Sequence, residues 1–472
     1  MVAMACDGPA LESGKPGGAA PPDIILITIE SLRTDHVGAY GGKSGTRPEV
    51  PITPNLDALA REAVVYERAH ATTSWTLPSH ASLFTGLYPS AHQTRRPLSV
   101  LGEDYSTLAE KLRTEGYQTA GVVSGPYLRE KYQLTQGIDW LEDSSANPFQ
   151  PRAHSDVTNA AMERGLLRFV ERERTPDRPF FLFAYFWDPH YDFLPPDPYD
   201  TLFTNDETQR IDVHRFDTAN TIHSGISKPE LDFVLAQYDG EIRATDELLG
   251  RFFDVLRTRD LWEESLVIVT ADHGEEFFDH GEKGHKNNLY VESVKVPLFI
   301  KFPKGTGPAP GTRDGRLVSL VDVLPTTLEV VGIGDGTDLD KLDGRSLLAA
   351  PDPQRAIFFE LLTSWYVQNG AQRDTEVESW WAIQNEDHKL VLRRREIGKP
   401  LLELFDIAKD PLERTDIARE SPELVAELMS QLFEQSNRAN ARAAEFEIGG
   451  TAELDDAERG RLCALGYLSC EP

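Results

Sequence analysis

The chain has 472 residues, 40% of them apolar and 26% charged, enough for a large core and for more than one domain. A net charge of −29 argues against a nucleic-acid partner, which would want a basic face. The most apolar runs, such as IILITI (24–29) and FFLFAYFW (180–187), are strand-sized, and none nears the roughly 18–20 residues of a membrane span.

Residues 1–22 are a Gly/Pro/Ala-rich leader without a fold signal. Within it, AMAC before a flexible linker resembles the end of a bacterial lipoprotein signal that lacks its hydrophobic part. That reading puts the chain in the cell envelope or periplasm, as a lipoprotein on Cys6. A disordered leader on a cytoplasmic protein is the alternative. From Asp23, strand and helix patterns alternate. DIILITIE is an apolar, β-branched run ending in an acid. Thr53 and Pro54 open a helix whose spacing runs through Leu56, Leu59 and Ala60. The stretch ATTSWTLPSHASLFTG (71–86) is an irregular approach into a helix, with Pro78 tolerated near the first turn. YSTLAEKLRTEGYQTAGVVS is a helix, a stop at Gly116 and a strand. VTNAAMERGLLRFVERER leads into PFFLFAYFWDPH, and a long amphipathic helix from Phe233 precedes SLVIVTADHGEEF.

Near-continuous apolar strands between helices predict an α/β fold with a mostly parallel central sheet covered on both faces. After about residue 335 the pattern alternates more, which predicts a small α+β subdomain with an antiparallel sheet. The expected boundaries are a catalytic domain over 23–335, a C-terminal subdomain over 336–446 and a docking tail over 447–472. Loops 143–156, 191–227 and 365–380 are expected to wall the pocket. Cys463 and Cys470 leave a C-terminal disulfide open, since spacing alone does not decide pairing.

Three strands end in polar clusters: Glu30-Ser31, Asp188-Pro189-His190 and Asp272-His273-Gly274. In open α/β sheets the site lies at the carboxyl ends of the strands. Taken singly, each of these acids and histidines is more often structural. Together, Glu30, Asp272 and His273 offer three ligands to one cation, and the Thr76 oxygen a fourth. Such a cation would lower the hydroxyl pKa and polarise a substrate oxygen. An oxygen-rich set with one nitrogen suits one Zn²⁺ or Mn²⁺ better than Ca²⁺, the remaining choice.

These residues sit in six ordered blocks, among them PPDIILITIESLRTDHVGAYG, the segment from TPNLDALA to GLYPSAH, YDGEIRATDELLGRFFDVL, VTADHGEEFFDHGEKGHKNNLYVESVKVPLFIK, SLVDVLPTTL and ELFDIAKDPLERTDIA. The blocks resemble the sulfatase branch of the alkaline phosphatase superfamily over nearly the whole chain after the leader. The resemblance implies metal-assisted cleavage of a sulfate or phosphate ester through a covalent intermediate. One block departs from it. Where sulfatases carry Cys-x-Pro-x-Arg, with the first residue oxidised to formylglycine, this chain has Thr76-Leu77-Pro78-Ser79-His80. No cysteine lies nearby, so no formylglycine is expected. The set Glu30, Thr76, Asp272 and His273 resembles instead the single-metal site of phosphoethanolamine transferases and lipoteichoic acid synthase, which use a threonine nucleophile on phosphodiesters.

By the same resemblance His190 and Lys286 contact the substrate anion, and His190 is counted with the catalytic residues. His285 protonates the leaving group, and His80 contacts the anion or orients Thr76. Thr76 is thus the expected nucleophile, with a phosphate mono- or diester as substrate, for hydrolysis or phosphoryl transfer. A phosphothreonine can be hydrolysed by water, whereas a threonine sulfate lacks the elimination route open to formylglycine. A sulfatase without formylglycine and a non-catalytic binding protein are the alternatives. The expected partner is a small-molecule, lipid-linked or glycan-linked anionic ester.

Overall fold

In chain order the first ten strands are β1 (Ile24–Ile29), β2 (Val64–His70), β3 (Gln118–Val123), β4 (Trp140–Glu142), β5 (Phe180–Phe186), β6 (Leu266–Ala271), β7 (Glu276–Phe277), β8 (Lys283–Gly284), β9 (Leu298–Lys301) and β10 (Arg313–Ser319). They are seen in a computed structural model that describes residues 20–146, 158–190, 192–214, 216–217, 219–333, 341–369, 372–395, 399–465 and 467–468. Eight strands form one sheet in the order β10-β2-β9-β6-β1-β5-β3-β4, while β7 and β8 make a separate pair. β1 runs parallel to both β5 and β6, and Ile29 pairs with Phe186 and with Ala271. Their last residues are therefore level, and the three polar clusters emerge side by side. All three strands are buried along their whole length, as a sheet covered on both faces requires. Only β9 runs antiparallel to its neighbours β2 and β6.

The helices form where the spacing predicted them, with one difference in how they are capped. Thr53 precedes the helix Pro54–Leu59 without capping it. Its hydroxyl is taken by the Gly38 N–H at 2.9 Å and by Asp57. The free N–H groups of Asn55 and Leu56 donate instead to Asp246, at 2.9 and 2.8 Å. Asp246 lies on the helix Lys228–Thr258 and is buried, so it ties two helices together. The same helix carries Asp239, buried and bonded to His36 Nδ1 at 2.6 Å. Beyond Ala60 the residues VVYERAH form β2, an unexpected strand.

Four further strands, β11 (Ile357–Asn369), β12 (Gln372–Gln384), β13 (His388–Arg395) and β14 (Leu401–Asp406), pair antiparallel in sequence order. The helix Pro422–Ala443 packs Leu428 and Leu432 against Phe358, Ile383, Leu390 and Leu404 of this sheet. The chain then returns to the main sheet. Asp455 and Glu458 form a capping box at the start of the helix Asp456–Ala464, and Arg129 and Lys131 pair with Glu458. Cys463 is disulfide-bonded, to a partner outside the described residues. Residues 1–19 of the leader, with Cys6, also lie outside them, as do Cys470 and parts of the expected pocket loops. Among the described residues no helix is long and apolar enough to cross a membrane.

The Asp246 bridge gives a stability prediction. Asp246→Ala leaves the buried N–H of Leu56 and the half-buried N–H of Asn55 without acceptors and should cost about 2–4 kcal/mol of folding free energy. Urea denaturation measures it. An unchanged midpoint would show that the bridge contributes nothing.

Candidate active site

Glu30 follows β1, and Asp272 and His273 follow β6, so the sheet register alone places them together. Gly274 makes the turn possible: a Cβ there would sit 1.9 Å from the Glu292 carbonyl oxygen. Thr76 is the first residue of the helix Thr76–Thr85, whose every residue is buried. Its hydroxyl donates to Glu30 Oε2 at 3.2 Å. The Ser79 hydroxyl donates to the Asp272 carbonyl at 2.5 Å and locks this helix onto the exit of β6. Ser31 and Tyr185 hydroxyls both donate to Glu30 and hold its carboxylate in place.

His273 is oriented by its neighbour. Its Nδ1 hydrogen donates to the Gly274 carbonyl at 2.8 Å, which leaves Nε2 facing Glu30 Oε1 at 2.9 Å and Asp272 Oδ2 at 3.4 Å. Asp272 Oδ2 has no hydrogen-bond partner, and His273 Nε2, although close to Glu30, makes no well-angled hydrogen bond; both are fully buried. Unpartnered buried polar atoms facing one another are costly unless a cation sits among them. The electrostatics say the same. Burial, reinforced by Glu30, pushes the Asp272 carboxyl well above its usual range. Burial pulls His273 down, but Asp272 and Glu30 outweigh it and lift the imidazole to about 10. Two buried carboxylates thus demand positive charge at this point.

Glu30, Asp272 and His273 thus stand together, with the Thr76 hydroxyl on Glu30. His285 also comes near: one ligand atom each from Glu30, His273 and His285 lie within 4.8 Å of one another. The His285 nitrogens are both engaged, Nδ1 with Glu275 at 3.2 Å and Nε2 with the Tyr467 hydroxyl at 3.3 Å. Glu275 therefore orients its neighbour.

His190 closes another side. Its ring stacks on Trp187 with centroids 3.7 Å apart, and its Nε2 meets the Tyr467 hydroxyl at 3.1 Å. Lys286 has a positive φ of 70°, and its N–H donates to the Ser74 carbonyl at 2.9 Å. This lays Nζ over the rings of Trp75 and Tyr467 at 5.3 and 4.9 Å. Burial lowers its ammonium pKa to about 8.

Of the two roles expected of His80, contact with the anion or orientation of Thr76, its surroundings fit the second: it is fully buried among Phe84, Phe183 and Tyr185. Its Nδ1 meets the Thr76 carbonyl at 3.0 Å and its Nε2 the Thr28 hydroxyl at 2.9 Å. Burial pulls its pKa down to about 4, so it is neutral and holds the Thr76 backbone. The residues that sequence reasoning missed are Tyr185 and Tyr467. Tyr185 is the one hydroxyl in an otherwise apolar strand, a signal that was there to be read. Tyr467 carried none.

Comparisons with known proteins bear on the family and the fold. The family model of sulfatases matches residues 22–333, and a model of the N-sulphoglucosamine sulphohydrolase C-terminal region matches residues 279–440. A multifunctional alkaline phosphatase superfamily protein, PehA, of Trinickia caryophylli is 27% identical over 84% of this chain and 91% of its own. An endo-4-O-sulfatase of Bacteroides thetaiotaomicron is 23% identical over 88% of this chain and 91% of its own. The crystal structure of a phosphonate monoester hydrolase of Agrobacterium radiobacter shares the fold, with a TM-score of 0.67 at 23% identity, covering 89% of this chain and 96% of that one.

The cation site gives a binding prediction. Purified protein should carry one tightly held divalent ion per chain, and His273→Ala and Asp272→Ala should each lose it while circular dichroism stays unchanged. Elemental analysis of the three proteins decides. Full occupancy in both variants would mean that the ion sits elsewhere.

Proposed function

The chain belongs to the sulfatase family of ester hydrolases, and on that footing we propose that it cleaves a phosphate mono- or diester, or transfers the phosphoryl group, through a covalent intermediate on Thr76. The observation that carries this reading is the Thr76 hydroxyl. It stands at the start of a buried helix, 3.2 Å from the Glu30 carboxylate and beside the cation-seeking pair Asp272 and His273. A divalent cation, Zn²⁺ or Mn²⁺ by donor type and Ca²⁺ as the further choice, would supply positive charge and Lewis acidity there.

The remaining roles fall to this chain's own side chains. Free N–H groups at the helix start favour an anion, as does the Lys286 ammonium. As Thr76 Oγ1 bonds to phosphorus, its proton passes to Glu30 Oε2 and the bond to the leaving oxygen breaks. The His285–Glu275 pair supplies a proton to the leaving oxygen, and His190 holds a phosphoryl oxygen. Water then attacks phosphorus, the bond to Oγ1 breaks, and the protons return to Thr76 and His285. His80 and Ser79 keep Thr76 at the required angle throughout.

A sulfuric ester is the second reading, favoured by the similarity to the Bacteroides endo-4-O-sulfatase. Against it stands the threonine, which has no elimination route for releasing sulfate. The substrate is a small-molecule, lipid-linked or glycan-linked anionic ester. The disulfide at Cys463 supports an oxidising compartment, and so the cell envelope rather than the cytoplasm.

Parallel assays with p-nitrophenyl phosphate and p-nitrophenyl sulfate test the ester preference, and phosphate should be cleaved faster. Thr76→Ala should lose at least ~10³-fold in kcat with its fold intact, and Thr76→Ser should keep part of the activity. Acid quenching should trap one phosphoryl group on the peptide containing Thr76, read by mass spectrometry. Faster sulfate cleavage, or full activity in Thr76→Ala, would reject the assignment.

A further inference from the structure

With the C-terminal segment seated, the reaction site is closed. Glu30, Thr76, Asp272 and His273 have no exposed surface, and His190 and His285 have 3% and 5%. The group that covers them is Tyr467, itself 3% exposed and just beyond the short helix Asp456–Ala464. Its hydroxyl sits between His190 Nε2 and His285 Nε2, at 3.1 and 3.3 Å. Its ring packs edge-on against Tyr127 and lies near Trp75. The side chains that would grip a phosphoryl oxygen therefore converge on one phenol oxygen of the same chain. A point met by several converging polar groups is where an oxyanion is stabilised.

Besides the disulfide at Cys463, the segment that delivers Tyr467 is held by noncovalent contacts. Glu458 pairs with Arg129 and Lys131, Leu462 and Leu465 are buried, and the Tyr467 N–H donates to the Leu462 carbonyl at 2.8 Å. An ester cannot reach Thr76 while the phenol fills this point. A short segment fixed by one helix and a few side chains is what such a cover needs in order to open.

We propose that Tyr467 is a substrate-contacting residue of this active site, carried by a C-terminal segment that opens to admit the ester and closes over it. On closing, the phenol yields its place between the two histidines to a phosphoryl oxygen and donates its own hydrogen to that oxygen. The inference rests on the phosphoryl reading given above.

Orthovanadate, a phosphate mimic, provides the test on the full chain. Tyr467→Phe keeps the ring and removes only the hydroxyl. It should weaken vanadate binding by about tenfold or more by titration calorimetry, and lower kcat/KM for p-nitrophenyl phosphate by a similar factor. Its melting temperature should stay that of the wild type, which a merely structural role would not allow to coincide with weaker binding. Hydrogen exchange of the amides of 456–465 in the wild type should slow when vanadate binds. Vanadate affinity within twofold of the wild type, faster turnover in Tyr467→Phe, or exchange indifferent to vanadate would each overturn the proposal. Wild-type protein that neither binds vanadate nor cleaves any ester would overturn the phosphoryl reading itself. Wild-type protein that binds vanadate as well as Tyr467→Phe does would overturn this inference alone.

Discussion

Two carboxylates and an imidazole are buried against one another at the end of the central sheet, and much of the surrounding structure exists to hold them there. Bringing Glu30 and Asp272 together out of water is unfavourable by several kcal/mol unless positive charge lies between them. The fold supplies the supports. Ser31 and Tyr185 donate to Glu30, and the Ser31 and His273 N–H groups donate to one oxygen of Asp272. Gly274 fixes the His273 tautomer. What stays unsatisfied, Asp272 Oδ2 and His273 Nε2, points to one place. The acidic net charge of the chain makes this local reversal of field all the more necessary for an anionic substrate.

Thr76 gains its place from the same constraint. It begins a buried helix whose second turn returns His80 to the Thr76 carbonyl, while Ser79 bonds the exit of β6. Thr76 is therefore held from its backbone and faces the carboxylates with its hydroxyl. Removing His80 or Ser79 would leave the chemistry in place and loosen its geometry, which is how positioning groups act.

The fold class and the strand-end cluster were legible because β1, β5 and β6 are short, continuous apolar runs and their polar ends are sharp. β2 was less legible. VVYERAH mixes apolar and charged residues and follows a helix with no glycine or proline between them. His80 stayed open between an anion contact and an orienting role for Thr76 because spacing alone does not say which face of a helix turns to the sheet. The i, i+4 relation to Thr76 was visible, but not the Thr28 hydroxyl that claims the other nitrogen. Tyr467 was out of reach altogether: it lies 182 residues from His285, and only tertiary packing brings the two together.

The account is tested most directly by a crystal structure with orthovanadate, collected at the absorption edge of the bound metal. It predicts one anomalous peak among Glu30, Asp272 and His273, with vanadium bonded to Thr76 Oγ1. A metal bound away from these three side chains, or vanadate out of reach of Thr76, would contradict it.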